Sequence, residues 1–282
     1  MQQPLAQLRD GLHHCRRAGG LQLARLCIAV IHAEARHTAG SGAGDVILAV
    51  ADHERRLGRS LRLGKRGRHI ITTAVEHHAV LHPMQKLEAK GFEVTYLQPD
   101  HDGNITVEEL KKALRPDTIL VSVMMVNNET GAINDIAAVA RMLKAENSIA
   151  LLHTDAVQGF LKVPFSAKTL GADLITISGH KIHAPKGIGA LYIRSGLKLP
   201  PYIHGGGQER GIRAGTEPTP QIAAFGEAVR IAKSEMPEAN KRMEALRAQC
   251  VQTLTDTVPD IVFLGGGSAH ILSLSLPGYR SE

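Results

Sequence analysis

The run Thr118–Val126 (TILVSVMMV) constrains the fold more than any other stretch of the chain. It is almost wholly apolar, and β-branched residues fill much of it. A run this short and this uniform reads as a strand covered on both faces, the pattern of a parallel sheet between helices. Its neighbours agree. His69–Val75 (HIITTAV) and Phe92–Leu97 (FEVTYL) read as strands. Between them, His77–Lys90 carries Val80, Leu81, Met84 and Leu87 at helical spacing and stops at Gly91. Thr106 and Glu109 form a capping-box pattern that opens a helix running through Leu114. Further on, the pattern predicts a helix over Asn134–Glu146 and strands over Ala150–Thr154, Asp173–Ser178 and Gly189–Ile193. Strand and helix alternate at short intervals, which predicts an α/β fold with a mostly parallel sheet covered by helices. After Pro218 come two long helical patterns reaching about Thr257, then strand-like Ile261–Leu264 and Ile271–Leu276.

The composition divides this chain of 282 residues unevenly. Residues 1–64 hold nine Arg but no Lys, and no Phe, Tyr, Trp or Asn. Within them, Leu21 to Ile31 reads as a buried helix or strand. Three readings of the segment stay open: a helical N-terminal region, a transit peptide, or a divergent or out-of-frame replacement of what should precede Lys65. The predicted organisation is an unmatched segment over 1–64, a large α/β domain over 65–234, and the start of a smaller, truncated α+β domain over 235–282. Hydrophobic residues at 43% and charged residues at 21% describe a globular chain. No stretch approaches the roughly 18 apolar residues of a membrane span. Three cysteines (Cys15, Cys27 and Cys250) without C-x-x-C spacing argue against a disulfide framework and for a reducing compartment. The net charge of +6 is scattered, and aromatic residues make up only 3%, which speaks against nucleic acid as the partner.

In an open α/β sheet, ligands bind beyond the C-terminal ends of the strands. Four predicted strands end in polar loops: Glu76-His77-His78, Asn127-Asn128-Glu129-Thr130-Gly131, His153-Thr154-Asp155-Ala156-Val157-Gln158 and Ser178-Gly179-His180-Lys181. Each is unremarkable alone, since an Asn pair before Gly is commonly a turn and an Asp after a strand commonly a cap. At adjacent strand ends they can converge. Lys181 follows an apolar strand and stands among Ile182, Ala184, Pro185 and Gly187. A lysine in such surroundings loses its proton more readily, which suits a Schiff-base nucleophile. Pyridoxal phosphate chemistry asks for that lysine, an acid facing the pyridinium nitrogen and a phosphate pocket. Asp155 can be the acid, and Ser178 with His180 can donate to phosphate. His78 and His82, four apart on a helix, suit a metal pair but lack a third ligand, so no metal is predicted.

Ser178-Gly179-His180-Lys181 followed by Gly187-Ile188-Gly189-Ala190-Leu191-Tyr192 resembles the lysine segment of cysteine desulfurases, in the class V aminotransferase family. The resemblance extends in order through Glu76-His77, Val126–Gly131, His153–Gln158 and His204-Gly205-Gly206-Gly207-Gln208-Glu209-Arg210-Gly211-Ile212-Arg213-Ala214-Gly215-Thr216, and covers about residues 65–280. It implies the type I pyridoxal-phosphate-dependent transferase fold, here with an incomplete smaller domain. It also implies roles. Lys181 would form the internal aldimine and be catalytic together with His77, which would stack on the cofactor ring. Asp155 would pair with the pyridinium nitrogen, while Asn128 and Gln158 would bond the phenolic oxygen and the substrate side. Ser178 and His180 would hold the phosphate, and Thr216 would reach the phosphate of a neighbouring subunit, which implies a homodimer.

The sequence departs from the family at both ends. Ala39–Gly44 is Gly-rich but lacks the acidic and threonine residues of the family's phosphate loop. The family's nucleophilic cysteine and substrate-carboxylate arginine fall past Glu282, and none of the three cysteines matches; Cys250, between Leu246 and Leu254 in a helical pattern, reads as a buried, inert thiol. The resemblance therefore implies a cytoplasmic enzyme that mobilises sulfur from L-cysteine for iron-sulfur cluster or thio-cofactor synthesis, with pyridoxal 5'-phosphate and a sulfur-acceptor or scaffold partner, impaired as written. The alternatives are a non-catalytic relative that only binds cofactor or a partner, and another class V aminotransferase or lyase.

Overall fold

The structure is a computed structural model and describes Leu26–Cys27 and residues 67–201 and 203–280. The readings made on the rest of residues 1–66, Cys15 and the Gly-rich Ala39–Gly44 included, lie outside the described residues. Its centre is a seven-stranded sheet. The strands are β1 (Leu26–Cys27), β2 (His69–Thr73), β3 (Glu93–Leu97), β4 (Thr118–Ser122), β5 (Leu151–Asp155), β6 (Leu174–Ser178) and β7 (Gly189–Ile193), in the order β1-β7-β6-β5-β4-β2-β3. The pairs β2–β3, β2–β4, β4–β5 and β5–β6 are parallel, and β7 runs antiparallel to both β6 and β1. The expected mostly parallel α/β sheet is present.

Alternation along the strands divides the core between two faces. Ile71, Val121, Leu152 and Ile175 point to one face, against Leu110 of α2 (Val107–Ala113), Ile136 and Val139 of α3 (Ile136–Ala145), and Leu170 of α4 (Ala167–Leu170). Ile70, Leu120 and Leu174 point to the other, against Val80, Met84 and Leu87 of α1 (His78–Ala89). Local chemistry sets the helix starts: the side chains of Thr106, Asp135 and Ser166 accept hydrogen bonds from Glu109, Ala138 and Thr169 backbone N–H groups at the N-termini of α2, α3 and α4. Two buried histidines tie strands together. His69 bridges Thr118 Oγ1 (2.8 Å) and Thr95 Oγ1 (2.9 Å), and His153 bridges Ser122 Oγ (2.8 Å) and Thr176 Oγ1 (3.2 Å).

Three sequence expectations change. The strand predicted over Thr118–Val126 is regular only to Ser122; Val123 and Met125 N–H still donate to the carbonyls of His153 and Asp155 in β5, and Val126 makes an isolated bridge to Ile133. On the other side of this segment, the buried Glu76 carboxyl, not a strand carbonyl, takes the Met124 N–H at 2.6 Å. The two helical patterns after Pro218 form one helix of 39 residues, α5 (Thr219–Thr257), which carries Pro237 in its interior and crosses the predicted boundary at 234/235 without a break. Cys250 is on that helix as expected but is exposed, not buried; among the described residues Phe225 is the one fully buried residue of α5. After α5, β8 (Val262–Leu264) and β9 (Ser273–Ser275) pair antiparallel.

Candidate active site

The parallel strands β2, β4, β5 and β6 are contiguous in the sheet, and their C-terminal ends carry the four polar loops read from the sequence. The chain leaves β2 for β3 on one side and returns through β4 on the other, so the loops after β2 and β4 flank the point where strand order reverses. That is where an open sheet leaves a crevice.

Asp155 ends β5 and is 5% exposed. Its Oδ1 accepts the Val157 N–H at 2.9 Å, and burial pushes its carboxyl up to about 6. Glu76 follows β2 and is 4% exposed. Its Oε1 accepts from Met124 N and, at 3.2 Å, from the Thr73 hydroxyl, while its Oε2 is buried without a partner among the described residues. Burial, and then the nearby Asp155, raise the Glu76 carboxyl well above the usual range. Two acids this close and this dry do not both carry charge at neutral pH. Burial thus works against the charged form of both carboxyls.

His77 is the N-cap of α1, and its Nδ1 accepts the Ala79 N–H at 3.1 Å. A backbone N–H can only donate, so Nδ1 carries no proton and the neutral ring keeps its proton on Nε2. Burial, His78 and Lys181 all lower its basicity. The rings of His78 and His82 stack 5.0 Å apart, and among the described residues no group of three or more His, Cys, Asp or Glu side chains is placed to hold a metal ion.

Lys181 lies in a single 3-10 turn, Gly179–Ile182, directly after β6. His183 closes the turn in the left-handed region at φ 66°, a conformation that non-glycine residues adopt at a cost. The Lys181 side chain is exposed and makes no hydrogen bond or ion pair among the described residues. Beside it, Ser178 Oγ and His180 Nδ1 are 2.7 Å apart. Gln158 Oε1 accepts from Lys162 Nζ at 3.2 Å. Asn128 is half-buried between Asn127 and Glu129; Asn127 braces that loop by donating to Val75 O (2.9 Å) and accepting from the Glu129 and Thr130 N–H groups. Of the sequence candidates, His77, Asn128, Asp155, Gln158, Ser178, His180 and Lys181 all lie at this rim. Thr216 stands apart, exposed on the loop before α5 and without a hydrogen bond among the described residues.

Three residues that sequence reasoning gave no role also belong to the site. Glu76 is the buried acid beside Asp155. Lys162 and His270 face Lys181, and each is made less basic by its burial and by the surrounding positive charge, Lys162 to about 8 and His270 to about 4. The spacing of Gln158 and Lys162 was the one available signal for the lysine; His270 comes from the loop between β8 and β9, which only the tertiary fold brings here.

The charge pattern is one-sided in each half. Among the described residues no cation acts on the Asp155 or Glu76 carboxyl, whereas Lys181 acts on Lys162, His180, His270 and His77, and Glu129 opposes these charges at His77. Residues 40–282 match the aminotransferase class-V family. The chain belongs to that family. It is 46% identical over 201 residues to the cysteine desulfurase IscS of Clostridium botulinum (strain Kyoto / Type A2), covering 71% of this chain and 50% of that protein. It is also 47% identical over 224 residues to the cysteine desulfurase IscS of Escherichia coli O139:H28, covering 77% and 54%. The chain thus spans about half the length of the curated relatives it matches. Among solved structures, a NifS-like protein superposes with a TM-score of 0.78 at 40% identity, over 86% of this chain and 65% of that one. DndA from Streptomyces lividans does so with 0.73 at 36%, over 95% and 80%. The family match starts at residue 40, ahead of Lys65 where the recognised motifs begin.

Proposed function

We propose that the chain binds pyridoxal 5'-phosphate and serves as a cysteine desulfurase, releasing sulfur from L-cysteine. The observation that carries this reading is the pairing of Asp155 and Lys181 at the ends of the neighbouring strands β5 and β6, with an uncompensated acid on one side of the site and uncompensated bases on the other. Such a site complements a ring that carries a protonated nitrogen at one end and a phosphate at the other. The residues present therefore fit the group.

When bound, the pyridine ring supplies an electron sink for bonds at the substrate's α-carbon. Asp155 would hold the proton on the ring nitrogen, and the cation beside it would restore its own ionised form. Lys181 Nζ would anchor the cofactor and would be the group that carries protons to and from the substrate's α-carbon. The neutral His77 ring would lie over the cofactor with Nε2–H available to the substrate. Ser178 and His180 would donate to the phosphate, and Gln158 and Asn128 to the phenolic oxygen and the substrate side. Relatives named cysteine desulfurases, and a structural neighbour described as SspA in complex with cysteine (TM-score 0.63, 33% identity), support L-cysteine as the substrate. A cytoplasmic homodimer completed by Thr216, delivering sulfur to an acceptor protein for iron-sulfur cluster assembly, belongs to the same proposal.

The test is reconstitution with cofactor. The protein should develop a visible absorbance, borohydride should fix the label on the peptide containing Lys181, and L-cysteine should yield alanine and sulfide. A label on Lys186 or Lys198 would overturn the assignment. Transamination of L-cysteine without sulfide would place the chain with a different class V activity.

A further inference from the structure

We propose that Lys162 is a positioning residue for Gln158: by donating to Gln158 Oε1 it fixes the sense of the side-chain amide, so that Gln158 presents its NH2, and not its carbonyl, to the bound cofactor. The inference deepens the reading of this rim as a pyridoxal phosphate site and rests on it.

The two residues share one short, firmly held turn. Asp155 ends β5, and Ala156 N donates across to Thr176 O of β6 at 2.9 Å, so the turn begins between the two strand ends that lead to Asp155 and Lys181. Phe160 N then donates to Ala156 O at 2.8 Å, and Lys162 N and Val163 N both donate to Gly159 O, at 3.1 and 2.9 Å. Gly159 lets the turn settle on the sheet, because a Cβ there would run into Met125 Sδ. Phe160 and Leu161 pack against the cluster of Ile182, Ala184, Ile188 and Phe225, which includes the turn that carries Lys181. Leu161 is held at φ 56°, in the left-handed region that a leucine enters only under constraint. The Lys162 carbonyl accepts from Asn240 Nδ2 of α5 at 2.7 Å. With its backbone fixed on both sides, Lys162 is half-buried and reaches back four residues to Gln158 Oε1 at 3.2 Å.

Chemistry sets the sense of this bond. An ammonium offers only N–H groups, whereas a carboxamide has one accepting end and one donating end. The bond therefore forms only with the Gln158 oxygen toward Lys162, and the NH2 is turned away from it. Gln158 Nε2 makes no hydrogen bond among the described residues, so its two N–H groups are open to a ligand. The phenolic oxygen of pyridoxal phosphate is ionised at neutral pH and accepts such a bond; a reversed amide would set oxygen against oxygen. The two ends of the amide have nearly the same shape, so packing alone does not choose between them. A side chain held ready in its bound conformation binds more tightly than one that must be ordered during binding. Lys162 thus serves the cofactor through Gln158 without touching it.

The experiment measures, on the full chain, the dissociation constants of pyridoxal 5'-phosphate and of its 3-deoxy analogue, which lacks the phenolic oxygen, with the melting transition as a check on folding. Wild type should prefer the cofactor by about tenfold. K162M should lower that preference by about threefold while binding the analogue as wild type does, and K162R, which still donates to Oε1, should restore it. In Q158A the preference should be lost, and adding K162M should change nothing further. Q158E keeps an acceptor for Lys162 but sets an oxygen where the NH2 stood, so it should bind the analogue more tightly than the cofactor; this reads the sense of the amide even where K162M folds poorly. The proposal is overturned if K162M weakens cofactor and analogue alike, if its effect persists in full in Q158A, or if K162R fails to restore the preference. A wild type that does not discriminate, or a Q158E that keeps the wild-type preference, overturns it as well. If any of these occurs while borohydride still labels Lys181, only this inference falls; if the label lies elsewhere, the parent reading falls with it.

Discussion

The middle of the sheet and its C-terminal rim use the same residue types to opposite ends. His153, in the middle, has both ring nitrogens bonded to strand hydroxyls, and burial depresses its basicity to about 3. His77, His180 and His270, at the rim, each spend one nitrogen on a local bond and leave the other free of any partner among the described residues. The carboxyls divide likewise. Away from the rim, Asp173 is paired with Arg194 and accepts the Leu152 N–H at 2.8 Å; at the rim, Glu76 keeps an orphaned oxygen. Buried polar groups are normally satisfied, and among the described residues the exceptions include Glu76 Oε2 and His270 Nε2 at the rim as well as Thr72 Oγ1 and Thr154 Oγ1 on the strands themselves.

Breaking the rim should cost function and spare the fold. K181A should lower sulfide release by about 10³-fold or more and abolish the borohydride label, with an unchanged melting transition. Breaking the middle should do the reverse. H153A leaves the Ser122 and Thr176 hydroxyls unpaired around a cavity and should cost roughly 4 kcal/mol in denaturant unfolding. The pH dependence sharpens the contrast. His153 is less basic folded (about 3) than unfolded (6.5), so the stability it allows is fully present above 6.5 and is lost as pH falls toward 3; H153A should flatten that slope.

Asp155 has the opposite sign. Its carboxyl is raised to about 6 from 3.8, so the folded state holds the proton longer, and stability declines as pH rises between these values. In cofactor-free protein, D155N should therefore be more stable above pH 6 by roughly 2–3 kcal/mol, yet bind cofactor far more weakly. A loss of stability in D155N would show that the acid serves the fold and not the ligand. The smallest effect is expected from C250S. The thiol is exposed and lies ten residues beyond Asn240, about 15 Å along the helix from the contact with Lys162, so melting and cofactor absorbance should both stay unchanged.

Much of this was legible in the sequence because strands buried on both faces leave an apolar signature and their polar exits stand out against it. Lys181, Asp155 and His77 were singled out as candidates that way. What failed did so for tertiary reasons. The run Thr118–Val126 is almost wholly apolar, but the regular strand stops at Ser122, and Glu76, 48 residues before Met124, takes the Met124 N–H that a further strand residue would have used. Cys250 follows a helical pattern, but periodicity does not say whether a helix face meets a neighbour, and this stretch of α5 meets little. Lys162 looks like an ordinary surface lysine until Leu161 turns it inward, and nothing local announces a leucine at positive φ.

The unbroken run of α5 has a mechanical consequence. At 39 residues it is a rod of about 58 Å, with its start seated on the sheet layer through Phe225 and its far end leading into the β8–β9 hairpin that delivers His270. Asn240, near mid-length, is a fulcrum on the Lys162 carbonyl, and Pro237 one turn earlier removes a backbone hydrogen bond where the rod would otherwise be stiffest. A tilt of a few degrees near Pro237 would displace the hairpin that carries His270 by ångströms, while the start of the same rod packs through Phe225 against Ile182 of the turn that carries Lys181, so one helix links the two sides of the candidate site.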